Sequence, residues 1–273
     1  MRARKLAAKA ATLACALIVG LLFVSGSACA AVTHNLLSTF GSFSSVQGVA
    51  VDQSTGDVYV YDAGAGKVFK FDASGAPVNF SSTGTNAIEG VGGAGEAEDE
   101  IAVDNSAGSA KGDIYVANGS HVGIYGADGK SLGELTEEAG KPWGKPCGVA
   151  VDPSGSVYVG LYPEHVNKYT PAANPVVDAD YVSSLWKLNS VCNVVVDSAG
   201  SLYADSWSEG PVTKYEALQF SLIETPASGS EVPGSGRSIA VDTATDPVTK
   251  TADDLYVGRY TEVAQFEPAG GLI

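Results

Sequence analysis

Beyond residue 31 the apolar residues do not hold the three- and four-residue spacing of a helix. They fall in short runs of Val, Ile, Tyr and Phe, cut apart by Gly, Asp, Asn, Ser and Pro. That pattern predicts many short strands joined by tight turns. One unit recurs five times and is clearest from Gly148 to Val159: an apolar run closed by Asp152, a turn at Ser154-Gly155, and a second run carrying Tyr158. Its aspartates are Asp52, Asp104, Asp152, Asp197 and Asp242, and the answering tyrosines are Tyr59, Tyr115, Tyr158, Tyr203 and Tyr256.

The aspartates are spaced 52, 48, 45 and 45 residues apart. A period of about 40–50 residues is that of a four-stranded propeller blade. The expected fold is therefore all-β, a β-propeller of four-stranded blades, with five repeats near 46–82, 99–135, 146–186, 191–224 and 237–273.

Each repeat divides alike. The first strand, such as Val149-Ala150-Val151 or Ile101-Ala102-Val103, is apolar at every position, as a strand covered on both faces is. The aspartate after it is expected to close an Asx-turn through its side chain; five copies suit a structural role better than a catalytic one. The second strand carries the tyrosine. The third alternates, as in Val68-Phe69-Lys70-Phe71 and Val166-Asn167-Lys168-Tyr169. A weaker, outer fourth strand is expected at stretches such as Ser131 to Leu135 and Phe220 to Ile223. The last repeat stops after its third strand, while an orphan run, residues 35–40, precedes the first. Docking that run on the last blade would close a five-bladed ring; a truncated six-bladed ring is the alternative.

The first thirty residues read as a cleavable signal peptide: Arg2, Arg4, Lys5 and Lys9, a short apolar core from Ala10 to Val24, then Ala28-Cys29-Ala30. Export follows, with lipid anchoring through Cys29 as the alternative. The mature propeller would span 31–273 with no membrane span. The leader holds four of the 16 basic residues and none of the 31 acidic ones, so the remainder carries −19. Such a surface excludes nucleic-acid binding by phosphate neutralisation, and self-repulsion suits a monomer.

The best copy, Pro146-Cys147-Gly148-Val149-Ala150-Val151-Asp152 followed by Val157-Tyr158-Val159, resembles the NHL repeat of bacterial secreted and animal proteins. Departures fall after the second strand. Asp62 and Asp205 keep the family's aspartate and Asn118 stands in once, while Lys67, His121 and His165 occupy or neighbour its arginine position. The resemblance implies a propeller, usually six-bladed, in a family ranging from recognition scaffolds to a few lyases; fold alone does not fix function.

Candidate chemistry lies just ahead of the first strands. Five positions before each motif aspartate stand Gln47, Asp99, Cys147, Cys192 and Arg237, followed by Gly48, Glu100, Gly148, Asn193 and Ser238. These rings are expected at one mouth of the central channel. Gln47, Asp99, Glu100, Asn193 and Arg237 are thus candidate binding residues, although a mouth is also polar where water merely fills it. Trp143 and Trp207 are candidate aromatic platforms near the same face, and Trp186 suits a fourth strand. Cys147 and Cys192 share one slot on adjacent blades; a disulfide there needs Cα atoms within about 7 Å, and diverging strands leave the pairing open. His34, His121 and His165 do not converge as zinc ligands, and neither cysteine has a histidine in its ring to act as base. The acidic loop Gly95 to Glu100 is the place for Ca²⁺, through Asp99 and Glu100, if it is not simply solvated.

The function expected is a secreted, non-catalytic scaffold recognising a protein or carbohydrate through one face. The alternatives are a divalent-metal-dependent lyase or lactonase on the same fold, and a segment of a longer cell-wall or adhesion protein.

Overall fold

Every apolar triplet ahead of a motif aspartate becomes the inner strand of an antiparallel meander. The structure, a computed structural model, describes residues 38–92, 100–186, 188, 191–206, 212–215, 231–232, 238–243, 252–258 and 263–266. The chain divides into two units, Met1–Thr39 and Phe40–Ile273. In the first, only Ser38 and Thr39 are described, and neither lies in a strand.

The second unit is a five-bladed propeller. Blade 1 comprises β1 (Val46–Val51), β2 (Val58–Asp62), β3 (Lys67–Phe71) and β4 (Ala87–Glu89). Blade 2 comprises β5 (Ile101–Val103), β6 (Ile114–Ala117), β7 (Val122–Tyr125) and β8 (Ser131–Leu135), and a short ladder of β9 (Glu137–Glu138) and β10 (Lys141–Pro142) follows it. Blade 3 is β11 (Lys145–Val151), β12 (Val157–Tyr162), β13 (His165–Tyr169) and β14 (Tyr181–Leu185). Blade 4 is β15 (Val191–Val196), β16 (Leu202–Ser206), β17 (Val212–Tyr215) and β18 (Glu231–Val232). Blade 5 shows β19 (Ser238–Val241), β20 (Leu255–Gly258) and β21 (Val263–Phe266) among the described residues. The stretch Phe220 to Ile223 lies outside them, as do residues 35–37 of the expected closing strand; Ser38 to Phe40 carry no strand.

Within every blade neighbouring strands are also neighbours in sequence. The turns follow the aspartates as their chemistry requires. Asp152 Oδ1 accepts the Ser154 N–H at 2.8 Å and the Ser156 N–H at 2.9 Å; Asp197 Oδ1 does the same for Ala199 and Ser201. These backbone donors replace the water that the buried carboxylates lose.

Hydrophobic burial is laid down between blades. Tyr59, Tyr61 and Val68 of blade 1 pack on Ile101, Val103, Ile114 and Val116 of blade 2. Comparable clusters join blades 2 and 3, 3 and 4, and 4 and 5. The register explains the recurring alanine: Ala50, Ala102, Ala150 and Ala240 each lie across the ladder from a motif tyrosine, and only in blade 4 does Val195 take that place. A small residue there makes room for the ring. Blade 1 departs from the expectation that first strands are covered on both faces. Val49 is 59% exposed and Val51 45%, whereas Val149 and Val194 are buried. Each buried aliphatic side chain contributes about 1.5–3 kcal/mol, so β1 forgoes that stabilisation on one face.

First and last blades nevertheless meet: Gln53 Nε2 donates to Thr243 Oγ1 at 2.5 Å. The sheets position a ring of inner strands, and the site follows from that ring.

Candidate functional site

The five inner strands surround one cavity of about 600 Å³, walled by their Val, Ala and Ile side chains. Its two ends are polar. One carries Gln47, Gly48, Glu100, Asn193 and Ser238; the other carries the residues directly after the motif aspartates, Gln53, Asn105, Pro153, Ser198 and Thr243.

The first end is the mouth expected from the sequence. Glu100 reaches across it: Oε2 accepts the Val149 N–H at 3.0 Å and the Val194 N–H at 3.4 Å. Inner strands have no further neighbour toward the axis, so their inward N–H groups need other acceptors. One carboxylate of blade 2 thus serves blades 3 and 4 through charge-assisted bonds. Asn193 is buried beside it, and Gln47 is half-buried, its Nε2 donating to Ser45 Oγ at 3.3 Å.

Blades 3 and 4 are tied at the same level. Cys147 and Cys192 form a disulfide with Cα atoms 4.9 Å apart. Proximity to the axis brings these strand starts together before the blades diverge. Glycine permits the approach, because a Cβ on Gly148 would fall on the Cys192 carbonyl oxygen.

The second end was not anticipated. Besides the Gln53–Thr243 bond, the Gln53 N–H donates to Asn105 Oδ1 at 2.8 Å, and Asn105 Nδ2 returns to the Val51 carbonyl at 3.0 Å. Ser198 donates its N–H and hydroxyl to Asp253 at 2.7 and 2.6 Å. The sequence signal was the position itself, one step past every motif aspartate, where four of five residues are polar.

The other sequence candidates are distributed differently. Trp143 lies away from the channel, edge-on to Tyr169 at 5.8 Å against the core between blades 2 and 3. Trp186 stacks on the buried His165 at 4.0 Å, and His165 meets Glu138 of β9 at 2.9 Å. His121 sits near Glu134 at 3.6 Å on the outer part of blade 2. Asp99, Trp207, Arg237 and His34 fall outside the described residues. Among the described residues no three His, Cys, Asp or Glu side chains group as metal ligands, and no helix is long and apolar enough to cross a membrane.

A further row of side chains runs between the strands of each blade and was missed in the sequence. Every motif tyrosine pairs with a third-strand residue: Lys70, Ile124, Lys168, Lys214 and Gln265 in turn. Where that residue is lysine, its ammonium lies 5.6, 5.0 and 5.2 Å from the centres of the Tyr59, Tyr158 and Tyr203 rings. It also meets a carboxylate: Asp57 at 2.8 Å, Asp152 at 4.0 Å and Asp197 at 3.3 Å. Burial raises the tyrosine pKa values, since phenolate is disfavoured away from water.

No family model matches the chain, and no curated protein matches it. Solved structures do match in fold. A streptogramin B lyase aligns at 15% identity and a TM-score of 0.55, over 85% of this chain and 68% of that one. A gluconolactonase from Xanthomonas campestris aligns at 14% identity and a TM-score of 0.61, over 84% of this chain and 75% of that one.

Proposed function

We propose that the protein is an exported propeller of the NHL type that recognises a protein or carbohydrate at the mouth rimmed by Gln47, Glu100 and Asn193, without catalysing a reaction. The observation that carries this reading is the use made of Glu100. A carboxylate that bonds the backbone of two further blades holds a surface in shape; it is poorly placed to trade protons with a substrate. Polar groups around an aliphatic well suit a ligand with hydroxyl or amide edges and an apolar face. Asp99 and Arg237 belong to the same rim by sequence position.

A second reading, a divalent-metal-dependent lyase or lactonase working at this mouth, is favoured by the fold shared with a lyase and a lactonase. One pair of experiments separates the two. Lactone hydrolysis is followed with Ca²⁺, Mg²⁺ and Zn²⁺ in turn, and binding is screened on glycan and peptide arrays. Scaffold function predicts no metal-dependent turnover, and array binding that weakens about tenfold, or about 1.4 kcal/mol, in Asn193→Ala. Turnover that requires metal and disappears in Glu100→Gln would establish the enzyme instead.

A further inference from the structure

Blade 2 breaks the rule of the tyrosine row. In blade 1 two aspartates, Asp52 and Asp57, lie near Tyr59, and Lys70 pairs with Asp57. Blade 2 has the same two aspartates, Asp104 and Asp113, beside Tyr115. The residue across the ladder from Tyr115 is Ile124. Isoleucine ends two heavy atoms short of a lysine ammonium and brings no charge.

The consequence is visible in three polar atoms. Asp104 Oδ2, Asp113 Oδ2 and the Tyr115 hydroxyl are all buried, and none has a hydrogen-bond partner among the described residues. Asp104 is 1% exposed, Asp113 5% and Tyr115 0%. In blades 3 and 4 the corresponding tyrosine hydroxyls donate to their aspartates, at 3.1 and 3.4 Å. Among the described residues no lysine or arginine pairs with Asp104 or Asp113. Burial pushes Asp113 up to about 6 despite a hydrogen bond from Asn174, and the negative charges of Asp104 and Asp128 add to the rise. An uncompensated pair of buried carboxylates is costly, and folded proteins resolve it with a proton or a cation.

We propose that blade 2 holds a divalent cation between Asp104, Asp113 and the Tyr115 hydroxyl, in the place that a lysine ammonium takes in blades 1, 3 and 4. Two carboxylates supply the matching charge of −2, and an all-oxygen donor set selects a hard ion. Ca²⁺ fits better than Mg²⁺, because it accepts irregular geometry while Mg²⁺ demands a near-ideal octahedron. The site belongs to the interior of one blade and is separate from the channel mouth, so it stands whether or not the mouth binds a ligand.

The test is thermal unfolding of the full chain, freed of metal by chelator, with Ca²⁺ added to millimolar concentration at pH 7.5. A ligand bound only by the folded state raises the melting temperature saturably. The expected result is a rise of several degrees with Ca²⁺ and none with K⁺ at equal ionic strength. Asp113→Asn removes one charge at constant shape and should abolish the rise. Ile124→Lys restores the missing ammonium and should raise the metal-free melting temperature while abolishing the calcium response. Glu100→Gln, which alters only the mouth, should keep the response whatever its own stability. A wild-type protein indifferent to Ca²⁺, an equal rise with K⁺, or an undiminished rise in Asp113→Asn overturns the proposal; the last readout holds even if Ile124→Lys does not fold.

Discussion

Replacing Lys70 by methionine would leave blade 1, like blade 2, with two aspartates near its tyrosine and an uncharged residue across the ladder from it. The ammonium lies 2.8 Å from Asp57 Oδ2 and 5.6 Å from the centres of both the Tyr59 and Phe80 rings. Its side chain is 12% exposed and that of Asp57 15%, so solvent screens the pair only in part. A hydrogen bond to a charged group contributes about 1.5–3 kcal/mol net, and a partly exposed cation–π contact about 0.5–1 kcal/mol. Breaking a fully buried ion pair costs about 3–5 kcal/mol; residual exposure places this one near the lower bound, at about 3 kcal/mol. Methionine keeps most of the apolar stem, so little of the loss is packing. In a domain of this size each kcal/mol is worth about 2–4 °C, which gives a fall of about 6–12 °C. Urea unfolding should show a lower midpoint at unchanged slope. The double variant Lys70→Met/Asp57→Asn should recover part of the loss, because neutralising Asp57 removes the stranded charge. A loss below about 0.5 kcal/mol, the range of an ordinary surface substitution, would refute this reading of the row. So would a double variant no more stable than the single one.

Removing the Cys147–Cys192 disulfide, as the double alanine variant, releases a loop of sequence separation 45 and should cost up to about 4 kcal/mol by chain entropy; urea unfolding compared with the reduced wild type checks it, and equal stability of oxidised and reduced wild type would contradict it. At alkaline pH the tyrosine row should fail. Burial raises Tyr59, Tyr158 and Tyr203; for Lys70 and Lys214 burial is the largest single influence and acts the other way, but the hydrogen bonds and charge attraction from Asp57 and Tyr59, and from Tyr203 and Asp197, together exceed it and raise them too. Every one of these groups holds its proton more tightly in the fold than in the unfolded chain. Stability is therefore intact below about pH 10, where unfolded tyrosine and lysine begin to titrate, and is lost as pH climbs beyond it. A melting temperature flat from pH 9 to pH 11 would contradict the assignment.

Period and pattern were enough to locate the first three strands of each blade, because a two-residue alternation and an aspartate turn are local properties. Val149-Ala150-Val151 and Val157-Tyr158-Val159 lie inside β11 and β12, and Ser131 to Leu135 is β8. The lysine row was hidden for a different reason. Lys168 in Val166-Asn167-Lys168-Tyr169 looks like an outward polar residue until the register sets it against Tyr158. Trp143, a candidate platform by its loop position, packs edge-on with Tyr169 against the core between blades 2 and 3, a contact that only the three-dimensional arrangement reveals. The disulfide turned on how far strand starts diverge, which depends on distance from the axis and not on residue type. The bonds from Glu100 to Val149 and Val194 depend on inward N–H groups that no sequence pattern marks.

The meander topology has one more consequence, for how the chain finds its shape. Each described blade ladder joins strands consecutive in sequence, and the disulfide links consecutive blades. Such a chain behaves nearly as a one-dimensional array, each unit stabilised by itself and its neighbours, and contacts of short separation form fast. Among the described residues the hydrogen bond of longest reach runs from Gln53 to Thr243 and spans 190 residues. Bringing those ends together from an unfolded chain would carry the full entropy of a long loop. Once the intervening blades have stacked, their own curvature delivers the two residues to each other, and among the described residues the Gln53–Thr243 hydrogen bond marks where the first blade meets the last.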